Sequence, residues 1–218
     1  MELNNEIIQQ VIHDSQHCQR NWDLSQEISQ QDIDSLMTAV TQCPSKQNIA
    51  HYKVHAITNR TMITAIHEHT VGFAVTYEPY VAETNSQVLA NLLLVFEAQD
   101  VQVHNDSVQY RNDETKMIKD GVLTPEAQSL LMRDRQMSVG IATGYCNITA
   151  SLLGYNTGYC ACFDNIEIKK LLDAQGDILV MLGIGFKDPV LDRRIHHVNH
   201  DFMFPTRPKQ PIQVNWIR

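Results

Sequence analysis

Residues 138–162, SVGIATGYCNITASLLGYNTGYCAC, constrain this chain more than any other stretch. They read as a long helix of small and apolar residues closed by a glycine, with a cysteine-bearing loop following at 155–162. Met137, Ile141, Ile148 and Leu152 recur at three- and four-residue steps or their multiples, so the spacing predicts one apolar side. Gly140, Ala142, Thr143, Gly144, Ala150 and Ser151 keep the other faces thin. A glycine inside a helix costs about 1 kcal/mol relative to alanine, so two of them point to close approach by another backbone or a flat ligand. Gly154 supplies a left-handed stop. A buried core helix accounts for the periodicity alone.

Such a helix needs a core to enter. Within QVLANLLLVFEA at 87–98, the run 92–96 is continuously apolar and suits a strand covered on both faces, in the middle of a sheet. DILVMLGIG at 177–185 reads as a second buried strand, with a helix before it at 165–173. At 218 residues and 43% hydrophobic, the chain can bury one substantial core. Its net charge of -8 argues against broad nonspecific contact with nucleic acid or an anionic membrane, both of which need a basic surface. No apolar run approaches the roughly 20 residues that span a bilayer, and MELNNEII lacks the blocks of a secretion signal, so a cytoplasmic location is expected.

From the N-terminus, residues 5–13 read as a short amphipathic helix with Ile7, Ile8, Val11 and Ile12 as a packing stripe. The polar stretch 17–23 holds one fixed cation, Arg20, and one large aromatic, Trp22. The donor fork of an arginine suits an anion or the carbonyl edge of a heterocycle, although a lone arginine is usually just solvated. Ser29 caps a helix with Asp32 in its first turn and Ile33, Leu36, Met37 and Val40 along one face. The loop CPSKQNIAHY then offers the Ser45 hydroxyl, the Lys46 ammonium and the amides of Gln47 and Asn48 within four residues, equipment for a polar ligand. Turn chemistry explains Pro44 and Ser45 about as well. A strand follows, in which Tyr52, Val54 and Ala56 alternate with Lys53, His55 and Ile57. Residues 71–75 fit a short helix or a strand, and the charged segment 100–121 reads as an exposed excursion or a mobile cover. Thr124 and Pro125 open the long helix, and Lys187, Arg193 and Arg194 offer cations for a phosphate after the second buried strand.

Five cysteines, Cys18, Cys43, Cys146, Cys160 and Cys162, are an odd number without framework spacing, which points to reduced thiols. Cys160 and Cys162 stand one residue too close for a CxxC pair, and neither His67-Glu68-His69 nor His196-His197 with His200 has the HExxH pattern. No metal site is expected.

Taken together and in order, these parts resemble the FMN-dependent nitroreductase family. The resemblance rests on an N-terminal stretch with a basic residue and an aromatic, a Pro-Ser-x-x-Asn loop at 44–48, a long central helix ending in Leu153-Gly154, and a late strand running into Gly-x-Gly and basic residues. It covers nearly the whole chain. It implies one domain over 1–218 with an α+β fold: an α/β/α sandwich with a central, mostly antiparallel sheet and a long central helix, assembled as an intertwined homodimer with FMN at the subunit interface. The proline-bearing tail 204–218 then reads as an extended arm across the partner, with disorder as the competing reading.

Carried over residue by residue, the family's opening pattern lands on 16–22. Arg20 is implied at the pyrimidine edge of the flavin, while Gln16 and Cys18 replace the arginine and hydroxyl that usually hold the FMN phosphate. Arg193 or Arg194 is implied to supply the remaining charge at the phosphate, with His17 as a helper. Ser45, Lys46 and Asn48 match the loop near the flavin and its ribityl chain, and Asn85 a further flavin-contacting amide. Relatives often carry Pro-x-Glu-Gly where this chain has Tyr159, Cys160, Ala161 and Cys162, whose backbone N–H groups are implied near flavin N5. The resemblance implies an oxidoreductase without an essential catalytic side chain, in which NADH or NADPH reduces FMN and a small-molecule oxidant such as a nitroaromatic or quinone takes the electrons. The alternatives are a same-fold flavoprotein with dehalogenating or flavin-degrading chemistry, and a non-catalytic FMN-binding or cofactor-free protein.

Overall fold

The computed structural model describes residues 4–72, 84–99, 118–119 and 122–217. The helices are α1 (Asn5–Asp14), α2 (Gln30–Thr41), α3 (Arg60–Glu68), α4 (Pro125–Leu152) and α5 (Asn165–Leu172). The strands are β1 (Tyr52–Ile57), β2 (Leu92–Ala98), β3 (Ile118–Lys119), β4 (Val122–Leu123), β5 (Asn156–Cys160) and β6 (Ile178–Gly185). β1, β2, β6 and β5 form one sheet in that order, every pair antiparallel, and β3 pairs with β4 alone.

β2 lies inside the sheet and is buried along its whole length, as its continuous apolar run requires. Alternate residues serve the two faces. Leu92, Leu94 and Phe96 pack with Leu182 and Ile184 against Leu36 and Val40 of α2 and Val139, Ala142, Cys146 and Ala150 of α4. Leu93 and Val95 pack with Met181 and Ile178 against Ile63 and Ile66 of α3 and Ile168 of α5. The result is an α/β/α sandwich around an antiparallel sheet. Each large side chain fully buried in these layers contributes about 1.5–3 kcal/mol.

Local signals place the helix ends. The Ser29 hydroxyl accepts from the Asp32 N–H at the start of α2, Thr124 caps α4 ahead of Pro125, and Gly154 adopts φ +86 just past its end. The Tyr155 hydroxyl then donates to Asp32 Oδ2 at 2.6 Å, tying the exit of α4 to the entry of α2.

Two expectations about the long helix are corrected. Its packed face is the thin one: Ala142, Thr143, Cys146 and Ala150 are buried, whereas Met137 and Leu152 are exposed and Ile141 and Ile148 only half-buried. Small side chains let the helix lie close to the sheet, so volume rather than hydrophobicity decides which face turns inward. Among the described residues, a Cβ added at Gly140 or Gly144 meets nothing within 4 Å, so none of them is the close neighbour these glycines anticipated. The stretch after the helix is also not a loop throughout, because 156–160 is the edge strand β5. The stripe of α1 remains largely open, with Ile8 and Ile12 exposed. Residues 73–75 and most of 100–121 lie outside the described residues. The tail 204–217 has no regular structure and leaves Ile212, Val214, Trp216 and Ile217 exposed.

Candidate functional site

The stretch 17–22 runs along the outer edge of β5. Cys18 bridges to Thr157 in parallel, and the Gln19 N–H donates to the Thr157 carbonyl at 2.7 Å. Approach is close enough that a Cβ at Gly158 would stand 2.6 Å from the Gln19 carbonyl oxygen, which is why the strand carries glycine there. Trp22 is buried, and its indole N–H donates to the Ser86 carbonyl.

This seam sets Arg20. Gln19 Oε1 accepts from the backbone N–H of both Arg20 and Asn21, and the buried Asn21 amide donates to the carbonyls of Asp192 and Ile195 at 2.7 and 2.8 Å. Asn21 thereby fastens the turn bearing Arg193 next to Arg20. Burial lowers the Arg20 pKa below its ordinary value, with the Cys18 sulfur opposing and Arg193 adding to the decrease. His17 is lowered by burial, then by Arg193 and His13, with Asp14 opposing. His17, Arg20 and Arg193 therefore share one electrostatic neighbourhood. Among the described residues no carboxylate bonds to the Arg20 guanidinium, whose contact is the ring of Phe204, with Cζ 4.9 Å from the centroid. Two guanidiniums and an imidazole beside a strand edge can hold a phosphate or the acceptor edge of a heterocycle.

Arg194 is committed elsewhere, donating to Asp192 Oδ1 at 3.0 Å and to Thr206 Oγ1 at 2.8 Å. Gln16 is exposed and pairs with His13 Nδ1. Of the two arginines expected at a phosphate, Arg193 is the one brought to Arg20.

A second group gathers at the far end of β5. The Asn85 N–H donates to Thr70 Oγ1 at 2.7 Å, its side-chain oxygen accepts from the Gln87 N–H, and its amide opposes, weakly, the effect of burial on the neighbouring Cys160 thiol. Burial pushes that thiol up to about 11, so Cys160 is a protonated packing residue at neutral pH and not a nucleophile. Ala161 and Cys162 are exposed, and the Cys162 carbonyl accepts from the Val71 N–H.

Ser45, Lys46 and Asn48 stand apart from both groups. Lys46 Nζ meets the buried Asp134 Oδ2 on α4 at 2.7 Å, and Asn48 adopts φ 55. The seam near Cys18 contacts the same helix at Asn147, which donates to the Ser15 carbonyl and accepts from Thr157 Oγ1. Thirteen residues of helix separate Asp134 from Asn147, about 20 Å of axial rise. One chain brings His17, Cys18, Arg20 and Arg193 together and joins Asn85 to Cys160–162 along β5, but it does not bring the 45–48 turn to either.

Sequence reasoning missed Asn21 and Phe204. No local pattern marks Asn21, since its partners lie more than 170 residues away. The aromatic pair Phe202 and Phe204 in a polar tail was a signal for the second.

A nitroreductase family model matches residues 15–186. Solved structures share the fold. A nitroreductase family protein from Clostridium novyi NT superposes with a TM-score of 0.59 at 16% identity, covering 89% of this chain and 90% of that one. A Staphylococcus epidermidis ATCC 12228 protein described as an NAD(P)H:FMN oxidoreductase gives 0.60 at 18% identity, covering 86% and 89%. A protein from Exiguobacterium sibiricum 255-15, described as a nitroreductase and solved in complex with FMN, gives 0.62 at 13% identity over 99% of each chain. No curated protein matches this chain. Among the described residues, no helix is long and apolar enough to cross a membrane.

Proposed function

Because this chain belongs to the nitroreductase family, we propose that it is an FMN-dependent oxidoreductase that takes electrons from NADH or NADPH and passes them to a nitroaromatic, a quinone or a similar small oxidant. The observation that carries this reading is the meeting of His17, Arg20 and Arg193 beside β5, with no carboxylate bonded to Arg20 among the described residues. That donor set fits a flavin mononucleotide, which brings both an anionic phosphate and a ring edge rich in acceptors. Bound FMN would supply the hydride chemistry, and the residues of this chain bind and orient it. Arg20 presents its fork to the acceptor edge of the ring, Arg193 and His17 hold the phosphate in place of the departed ligands at Gln16 and Cys18, and Asn85 with the backbone of Cys160–162 borders the ring.

Ser45, Lys46 and Asn48 reach this site from a second copy. Their separation of about 20 Å along α4 supports that reading, as does the open face of the same helix, where Gly140 and Gly144 lie beside exposed Met137, Tyr145 and Leu152. Beyond Phe204, the exposed apolar residues Ile212, Val214, Trp216 and Ile217 suit an arm laid across that copy. Five unpaired cysteines agree with a reducing, cytoplasmic setting. The assay is oxidation of NADH or NADPH with a quinone or nitroaromatic acceptor, with and without added FMN. FMN-dependent turnover is expected; FMN-loaded protein that oxidises neither nicotinamide with any acceptor would overturn the assignment.

A further inference from the structure

Arg20 and Phe204 lie 184 positions apart in the chain, yet the guanidinium rests on the phenyl ring. Both partners are held from behind. Asn21 pins the turn at 192–195, as described, and the bridge between Ile195 and Met203 folds the following segment back on itself. The Phe204 N–H donates to the Arg194 carbonyl at 2.8 Å, and its ring meets Phe202 edge-on at 5.1 Å and the buried His196 at 6.0 Å. The ring is thus a fixed platform, not a loose tail residue.

We propose that Phe204 is the positioning residue for Arg20: its ring takes one face of the guanidinium and leaves the edge N–H donors free for the flavin. This inference rests on the FMN reading above. An unsupported arginine side chain samples many rotamers and must be ordered when a ligand binds; one stacked on an aromatic platform has much of that ordering done beforehand. The attraction between the cation and the ring face holds the fork without using any of its donors. No carboxylate does this among the described residues, and one that did would neutralise the charge the ligand needs.

The test compares Phe204→Leu, Phe204→Tyr and Phe202→Leu in the full-length protein by FMN fluorescence titration, thermal unfolding and the ¹⁵N-detected Nε–H resonance of Arg20 without FMN. Phe204→Leu is expected to weaken FMN binding about tenfold, a change on the scale of one partly desolvated cation–π contact, and to shift the Arg20 resonance. Phe204→Tyr keeps the ring and is expected to behave as wild type in both. Phe202→Leu removes one support of the ring without touching Arg20 and is expected to weaken FMN binding by less than Phe204→Leu does. Wild-type affinity in Phe204→Leu overturns the proposal, as does an equal loss in Phe204→Tyr or Phe202→Leu. Tighter FMN binding in Phe204→Leu overturns it too, by showing that the ring competes with the flavin. If Phe204→Leu does not fold, Phe204→Met replaces it under the same criteria. Wild-type protein that binds no FMN, while its Arg20 resonance still responds to Phe204→Leu, overturns the functional reading and the flavin role of Phe204 but leaves the contact itself standing.

Discussion

Glu97 is a carboxylate sealed inside the sheet, 2% exposed, at the bulge where β2 shifts register against β6. Burial alone would raise its pKa. Hydrogen bonds from Lys53, the Gly176 N–H, His55 and the Gln175 N–H outweigh that and bring it down to about 2. Four donors from β1 and from the turn before β6 therefore converge on one side chain, so Glu97 fastens three strands that apolar packing alone would leave free to slide. An unfolded glutamate takes up its proton near the ordinary value of 4.5, and the folded one only near about 2. The unfolded chain thus binds the extra proton between these values. The stabilisation from Glu97 is fully present above the ordinary carboxylate range and is lost as pH falls through about 2. Glu97→Gln is expected to lower the free energy of unfolding at pH 7 by about 3 kcal/mol and to flatten the acid limb of the stability profile. Urea titrations from pH 7 to pH 3 check both; a parallel profile in the variant would remove Glu97 as the source of acid sensitivity.

At the scale of elements, β5 organises the candidate site, because it carries the seam with 17–22 at one end and the Asn85 group at the other. Gly158→Ala would drive a Cβ into the Gln19 carbonyl. The expected loss is about 2 kcal/mol in urea unfolding together with weaker FMN binding, since Arg20 moves with Gln19; stable protein with normal FMN affinity would show that the seam does not set the site. Much of this architecture was legible in the sequence, for identifiable reasons. α2, β2, α5 and β6 each bury a face within the chain, so their periodicity or continuous apolar character speaks for itself, and Ser29 and Gly154 act through local backbone geometry. The inward face of α4 was read wrongly because closeness of packing, not hydrophobicity, selects it. β5 was hidden because five residues containing a glycine and an asparagine give little strand signal, and its pairing with β6 and 17–22 is entirely non-local. Within the site, the residue types at 17–20 and 193 were readable, whereas the tether that joins them, Asn21, is set by tertiary contacts alone.

For the whole molecule, the proposed function asks for a second copy: among the described residues the 45–48 turn stays about 20 Å along α4 from the Arg20 group, and a Cβ at Gly140 or Gly144 meets nothing within 4 Å. On that proposal two α4 helices pack through Gly140 and Gly144, and the 45–48 turn of one copy serves the site of the other. Gly144→Glu puts a charge on that face without touching the packed side of the helix, where Ala142, Thr143 and Cys146 are buried. It is expected to give a folded monomer by sedimentation that has lost most of its FMN affinity; a dimer with normal affinity would place the interface elsewhere. The central claim, that this chain holds FMN and reduces it with a nicotinamide, is met most directly by one absorption experiment on purified protein. The spectrum is recorded as isolated, after adding FMN, and again after adding NADH or NADPH without oxygen. Retained flavin absorbance that bleaches with at least one nicotinamide is the predicted result. Protein that retains no FMN, or bound FMN that neither nicotinamide bleaches, would contradict the account.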